Sequence, residues 1–124
     1  MTFGTLAAVA AGGAIGATLR YLIHTGLTLW HGAESAWSTL AVNVVGSFCL
    51  GLAAALISHR VDHLPPFFMI GLLGAFTTFS TFALDATSLA EGRSMSIAAL
   101  YIGLSVSLAI FAFVGGDLVG ARLK

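Results

Sequence analysis

The sequence predicts an all-α membrane protein, a single domain of residues 1–124 with four transmembrane helices. Of its 124 residues, 58% are hydrophobic and only 8% are charged, and the mean hydropathy is +1.00. A soluble domain typically carries about 25% charged residues, so a water-soluble globule of this composition would lack polar surface. Four helices of roughly 20 to 25 residues each would use up nearly the whole chain.

Short polar links separate the four predicted spans. Trp30 and Trp37 flank the first link, as aromatic residues do at a membrane–water interface. Pro65 and Pro66 begin the third span, where the missing backbone N–H of proline does no harm. The spans are predicted at about residues 3–30, 37–57, 66–89 and 95–119.

The polar residues exclude several classes of protein. The formal net charge is zero, and no basic patch indicates a nucleic-acid partner. No catalytic set of serine, histidine and acid stands out, so the sequence does not predict an enzyme. His59 and His63 have a spacing that can chelate a metal on a helix, but they lie in a predicted loop with no third ligand nearby. We expect them to be solvated.

The first span combines a small-residue contact with one charge. Gly12 and Gly16 have the GxxxG spacing that lets two helix backbones approach closely. Arg20 is costly inside a membrane and usually functional there. Two interpretations stay open for Arg20: a charge in an aqueous vestibule, or an anchor that snorkels to the interface.

The second span carries the only amide side chain of the protein, Asn43. An amide in hydrocarbon needs hydrogen-bond partners, and it offers two N–H donors. It is either a contact between helices or, beside the hydroxyl-rich third span, a residue of an ion pathway.

The third span contains the stretch on which the rest of the chain depends, residues 71–82. Gly71 and Gly74 loosen the helix, and four hydroxyl residues and three phenylalanines follow within seven residues. In lipid, non-helical backbone is tolerated only where it is buried in protein or lines a cavity. Broken helices at mid-membrane are typical of ion sites in transport proteins. We therefore predict a break near the middle of this helix. Asp85 lies towards the end of the span and is predicted near the interface.

The fourth span places Tyr101 and Ser105 one helical turn apart on one face. Hydroxyls in a membrane helix often bond back to their own carbonyls, so this interpretation competes with a lining role. Gly116 and Gly120 repeat the small-residue spacing.

The positive charges specify the orientation only weakly. Arg60, Arg122 and Lys124 fall on one side of a four-span chain, and Arg93 falls on the other, with Arg20 if it snorkels. Since positive charges favour the cytoplasmic side, this small bias is compatible with insertion in both orientations. An antiparallel, dual-topology dimer is the predicted assembly.

Within the membrane, the available donors suit an anion. Phenyl ring edges carry positive charge and attract an anion weakly, as Phe79 and Phe82 would. Carbonyls freed by a break at 74–77 would attract a cation instead. The side chains that offer hydrogen-bond donors are those of Asn43, Ser80, Thr81, Tyr101 and Ser105.

At these residues the sequence resembles the small CrcB/Fluc family of fluoride channels. The resemblance rests on three stretches that occur in order on a four-span chain of this length. They are Gly12-Gly13-Ala14-Ile15-Gly16-Ala17-Thr18-Leu19-Arg20-Tyr21, Asn43-Val44-Val45-Gly46-Ser47-Phe48 and Gly74-Ala75-Phe76-Thr77-Thr78-Phe79-Ser80-Thr81-Phe82.

The resemblance implies a passive, electrogenic fluoride channel that lowers fluoride toxicity from the cell inner membrane. It implies an antiparallel homodimer with two pores, or a pair with a homologous subunit. Gly74 and Thr77 match carbonyls that hold a structural sodium ion at the dimer interface. The matched pathway residues are Arg20, Asn43, Phe79, Ser80, Thr81, Phe82, Tyr101 and Ser105.

The chain departs from the family pattern at a few positions. Ala109 and Phe113 stand where further hydroxyls are common, and Ala83 and Asp85 stand where a serine and a glutamate are common. The alternative interpretation is a small four-helix, proton-coupled multidrug exporter. Such a protein needs a titratable acid within the membrane, for which Asp85 is the only candidate.

Overall fold

The structure, a computed structural model, describes residues 2–31, 35–57 and 65–124, without the side chains of residues 30 and 31. Arg60, His59 and His63 lie outside the described residues, so the predictions for them stay predictions.

In the part of the chain that the structure describes, four apolar stretches of helix are long enough to cross a membrane, which confirms the predicted all-α, four-span fold. Two half-helices, α3 and α4, make up the third span. The helices are α1 (Phe3–His31), α2 (Ser35–Leu56), α3 (Phe67–Leu73 continued by Gly74–Phe76), α4 (Phe79–Gly92) and α5 (Met95–Arg122).

α2 and α5 form the most extensive helix pair, and glycines bring their backbones together. A Cβ atom on Gly51 would collide with the carbonyl oxygen of Phe113, and one on Gly116 with that of Phe48. Gly120 packs in the same way against Ala55. The predicted small-residue contact of the fourth span is therefore confirmed, with α2 as its partner.

α1 packs against α3 through a second glycine contact. A Cβ atom on Gly12 would collide with the carbonyl oxygen of Phe67, and one on Gly16 with that of Leu72. From the other side, a Cβ on Gly71 would lie 2.8 Å from the carbonyl oxygen of Val9. The predicted GxxxG contact is confirmed, and it holds the first half of the broken span.

Most of α3 is a π-helix, which the sequence did not indicate. Phe67–Leu73 has the wider turn, and the Gly74 N–H donates to the carbonyl of Met69, five residues earlier. Such turns are rare and often occur at functional sites.

The third span is interrupted between Phe76 and Phe79, near its middle, as predicted. Thr77 and Thr78 are extended, with φ/ψ of −77°/157° and −150°/116°. Thr78 caps α4, because its hydroxyl oxygen accepts from the Thr81 N–H at 3.2 Å. The interruption therefore comprises two residues with defined hydrogen bonds.

Gly116→Ala should lower the free energy of unfolding by about 1–3 kcal/mol, because the added methyl group overpacks a contact with backbone. Gly115→Ala is the matched control, since a Cβ there meets nothing within 4 Å and the gain in helix propensity is the same. Thermal unfolding of the purified protein in detergent measures the difference. Equal stability of the two variants would contradict the close contact between α2 and α5.

Candidate ion pathway

Asn43 holds the interruption of the third span with two hydrogen bonds to one residue. Its Nδ2 donates to the carbonyl oxygen of Thr78 at 3.0 Å, and the Thr78 N–H donates to its Oδ1 at 2.8 Å. The interpretation of Asn43 as a contact between helices is therefore correct, and its partner is backbone. The second N–H of the amide is not used in this pair and stays available as a donor.

Two backbone carbonyls lose their helical partners here, one through the Asn43 pair and the other through the Thr78 cap. In a continuous helix the carbonyl of Gly74 would accept from the Thr78 N–H, which instead donates to Asn43. The carbonyl of Thr77 would accept from the Thr81 N–H, which instead donates to the Thr78 hydroxyl. Gly74 itself keeps helical dihedrals, so the interruption lies later than the predicted 74–77. The carbonyls of Gly74 and Thr77, which are the predicted cation ligands, nevertheless lose their helical partners.

Hydroxyl groups cluster where α4 begins. The Thr78 hydroxyl donates to Thr81 Oγ1 at 3.0 Å, and Thr78 Oγ1 lies 3.3 Å from Ser80 Oγ. Thr78 was not among the predicted site residues, although a threonine directly before a helix is a common N-cap signal.

Three aromatic rings connect α4 to α5. The rings of Phe79 and Phe82 lie 5.3 Å apart, which confirms that they share a face, and the rings of Phe82 and Tyr101 lie 5.5 Å apart. Phe82 and Tyr101 are buried, whereas Phe79 is 79% exposed. Phe82 is thus packed within this chain, and Phe79 projects away from it.

Three buried polar atoms have no hydrogen-bond partner among the described residues: Oδ2 of Asp85 and the hydroxyls of Tyr101 and Ser105. Asp85 is buried within the protein, and its predicted place near the membrane interface stays a prediction. Its side chain is 6% exposed and lies beside Tyr101, because the face of α4 that carries it packs on α5.

The buried hydroxyl of Ser105 lines the break cavity, beside the side chain of Tyr101. Exposed hydroxyls in this protein do bond back to their own helix, as those of Thr18, Thr28 and Thr87 do. Ser105 is buried and does not. This favours a lining role for its hydroxyl.

The polar residues line two cavities, and Thr78 is part of the lining of both. The first, which we call the break cavity, measures about 350 Å³. The second, the Arg20 cavity, measures about 250 Å³. The predicted site residues in the break cavity are Asn43, Gly74, Thr77, Phe79, Phe82 and Ser105, and those in the Arg20 cavity are Arg20 and Thr81.

Thr78 lines both cavities, whereas Ser80 and Tyr101 line neither. Ser80 is exposed, and the Tyr101 side chain is packed against Phe82. The structure therefore brings together most, but not all, of the predicted residues.

Arg20 lies within the spanning part of α1 and is half-buried. It faces a cavity whose other walls carry hydroxyl groups. This position favours a charge in a vestibule over an anchor at the helix end. His24, one turn further along α1, lines the same cavity and was not singled out from the sequence.

The described residues contain no group of three His, Cys, Asp or Glu side chains that could hold a metal ion. Polar groups are concentrated instead at an interrupted membrane span, between two cavities. These features define a small multi-pass membrane protein of the transport type, in which backbone and hydroxyl groups provide the polar surface within the membrane.

Comparison with known proteins shows the family. Residues 7–117 match the family model described as CrcB-like protein, Camphor Resistance (CrcB), and the chain belongs to this family. It is 49% identical over 119 residues to the fluoride-specific ion channel FluC of Aeromonas salmonicida, across 93% of this chain and 95% of that protein.

Other relatives carry the same name. The FluC of Cereibacter sphaeroides is 44% identical over 112 residues, which is 90% of each chain. The FluC of Agrobacterium fabrum is 42% identical over 121 residues, across 95% of this chain and 97% of that protein.

Asn43→Ala should destabilise the backbone conformation of the interruption. The substitution leaves the N–H and the carbonyl of Thr78 without partners, at a cost of about 1–3 kcal/mol for each buried group. Amide hydrogen exchange at 77–81 should become faster. Asn43→Asp, which keeps the acceptor for the Thr78 N–H and loses the donor, should have an intermediate effect. Val45→Ala, at an exposed position of α2, is the control. Unchanged exchange in Asn43→Ala would show that the pair does not hold the interruption.

Proposed function

We propose that this protein is a fluoride-selective ion channel that exports fluoride passively across the cell inner membrane and so lowers its toxicity. The observation that carries this proposal is the identity of 42–49% with proteins named fluoride-specific ion channel, over nine tenths or more of the chain. The geometry of the interrupted span supports it independently.

A dehydrated anion needs hydrogen-bond donors to replace its water, since burial without them is very costly. The hydroxyl of Ser105, which lines the break cavity, and the second N–H of Asn43 are donors of this kind, and the Tyr101 side chain lies directly behind Ser105. Ser80 and Thr81 add hydroxyls at the start of α4. The edges of Phe79 and Phe82, which both line the break cavity, add weak positive potential.

The channel that we propose is an antiparallel homodimer with two pores. A single chain leaves Phe79 79% exposed and the break cavity open to one side. A second copy would cover that ring and close the cavity, with each copy completing the pathway of the other. The weak charge bias permits both orientations in the membrane. The alternative assembly is a heterodimer, in which a closely homologous subunit replaces one copy. A functional assay with and without that subunit distinguishes the two assemblies.

We propose that a sodium ion binds to the two freed carbonyls, those of Gly74 and Thr77. Unwound backbone carbonyls are the usual ligands of Na⁺ in broken membrane helices, and hard cations prefer oxygen. One chain offers two such ligands, so the proposed ion needs the same two from a second copy. When bound, it would supply a fixed positive charge at the contact between the two interruptions.

The membrane potential provides the driving force. Fluoride enters a cell as the neutral acid and is trapped inside as the anion, and an inside-negative potential drives a monovalent anion outward by about 2.3 kcal/mol per 100 mV. A passive, selective pore is therefore sufficient for export. The alternative of a proton-coupled exporter is not favoured, since α1 carries no acidic residue and the relatives are named as channels.

Liposomes that contain the purified protein and trapped potassium fluoride should release fluoride when valinomycin is added, and should retain chloride. Ser105→Ala should slow the release by roughly fivefold to a hundredfold, because one buried donor is worth about 1–3 kcal/mol. Ser107→Ala is the matched control, since Ser107 is exposed on the same helix. Equal release of chloride, or fluoride release that requires a proton gradient, would contradict the proposal. Release only in the presence of a homologous subunit would replace the homodimer by a heterodimer.

Replacement of sodium by N-methylglucamine throughout purification and reconstitution should lower fluoride release and the dimer fraction together, and sodium alone should restore both. The reason is that the freed carbonyls of two chains repel one another without a cation between them. Lithium and potassium at matched ionic strength serve as controls. Full activity and an intact dimer in sodium-free buffer would contradict the sodium site while leaving the channel unaffected.

A further inference from the structure

The Arg20 cavity contains a second basic side chain next to the arginine. Arg20 and His24 lie one helical turn apart on α1, and both line the cavity. His24 is the nearer of the two to the end of α1 at His31, and therefore to the aqueous phase. An anion that enters from this end reaches His24 before Arg20.

The structure fixes one nitrogen of the His24 ring. Nδ1 lies 2.7 Å from Oγ of Ser38, whose side chain is fully buried, and the same Oγ donates to the carbonyl oxygen of Ser35 at 2.8 Å. A hydroxyl has one proton, and a carbonyl oxygen can only accept. Both contacts are satisfied when the Ser38 proton points to Ser35 and the Nδ1–H of His24 donates to Ser38.

This arrangement determines what the other nitrogen offers. With Nδ1 protonated, Nε2 of the neutral ring is an acceptor, which does not help to bind an anion. A second proton on the ring converts Nε2 into a donor and adds a positive charge beside Arg20. Histidine is the residue whose ring makes this change within the physiological pH range.

The cavity leads to the interruption of the third span. Thr78 lines both this cavity and the break cavity, and its hydroxyl donates to Thr81, which also lines this one. An anion held between Arg20 and His24 thus lies in a cavity that two hydroxyl residues of the interruption also line.

We propose that His24, held by Ser38, is a further residue of the anion pathway, which captures the anion at this mouth when its ring is protonated. The inference rests on the proposed function. The ionisable side chains that line the cavity are Arg20, Tyr21 and His24, all on α1.

The other walls of the cavity carry hydroxyl and apolar groups. The described acidic residues of α4, Asp85 and Glu91, do not line it, and Glu34 lies outside the described residues. The remaining lining residues are Ser35, Ser38, Thr39 and Val42 from α2, and Thr78 and Thr81 from the interruption.

The test is valinomycin-dependent fluoride release at equal pH inside and outside, between about pH 5.5 and about pH 8, the range in which imidazole changes charge. At low fluoride, the protein should conduct about three- to tenfold faster at the acid end, as expected for one added charge in a wet cavity. At saturating fluoride, the rates of release at about pH 5.5 and at about pH 8 should converge, because capture of the anion no longer limits the flow. Protein-free vesicles at each pH correct for leakage of the undissociated acid.

His24→Gln should abolish the pH dependence at low fluoride and keep the rate at saturation. Ser38→Ala, which releases Nδ1, should reduce the pH dependence. Thr28→Val, at an exposed position one turn further along α1, should keep the profile of the unchanged protein. A flat profile in the unchanged protein, or a pH dependence that persists in His24→Gln, would overturn the inference and leave the channel proposal standing. Absence of valinomycin-dependent fluoride release at every pH would overturn both.

A binding measurement on the unsubstituted protein covers the case in which His24→Gln does not fold. If protonation of His24 favours fluoride, then fluoride must favour protonation of His24 by the same factor. NMR titration of ¹³C-labelled imidazole in detergent should show one of the four histidines changing charge at higher pH when sodium fluoride replaces sodium gluconate. Single replacements of the other three histidines, His31, His59 and His63, by glutamine assign the signal of His24 by elimination. Identical titration of all four histidines in both salts would overturn the inference.

Discussion

The fold depends on the pair of hydrogen bonds between Asn43 and Thr78. An interruption of a spanning helix leaves backbone N–H and carbonyl groups without partners, and lipid offers none. An amide donates from one atom and accepts at another, as the backbone does, and Asn43 carries the only amide side chain of the protein. Its two bonds, at 3.0 and 2.8 Å, satisfy both groups of Thr78. The extended conformation of that residue is therefore stable at mid-membrane.

The remaining helices keep this pair in place. α2 carries Asn43, and the glycine contact with α5 fixes α2 against the helix that holds Tyr101 and Ser105. α1 holds the first half of the broken span through Gly12 and Gly16. The glycines therefore act on the pathway indirectly, because they set the distance between the backbones that carry its polar groups.

The sequence predicted the features that depend on local pattern. The lengths of the apolar stretches predicted the four spans, and the spacing of the glycines predicted the helix contacts. The hydroxyl and phenylalanine residues of 76–82 indicated the interruption. It did not predict features that depend on distant residues. The partner of Asn43 lies 35 residues away, and the partner of His24 lies 14 residues away. The burial of Asp85 follows from the face that α4 turns to α5, which a short span without strong periodicity does not specify.

The π-helix of Phe67–Leu73 has a genetic consequence. A π-helical turn is an α-helical turn with one residue more, so this half of the span is one codon longer than an α-helix of the same path would be. Deletion of a single codon there would rotate the following residues by about 100° relative to α1. The carbonyls of Gly74 and Thr77 would then face another direction, although no residue at the interruption had changed. The number of residues in this half of the span therefore helps to determine which backbone atoms face an ion.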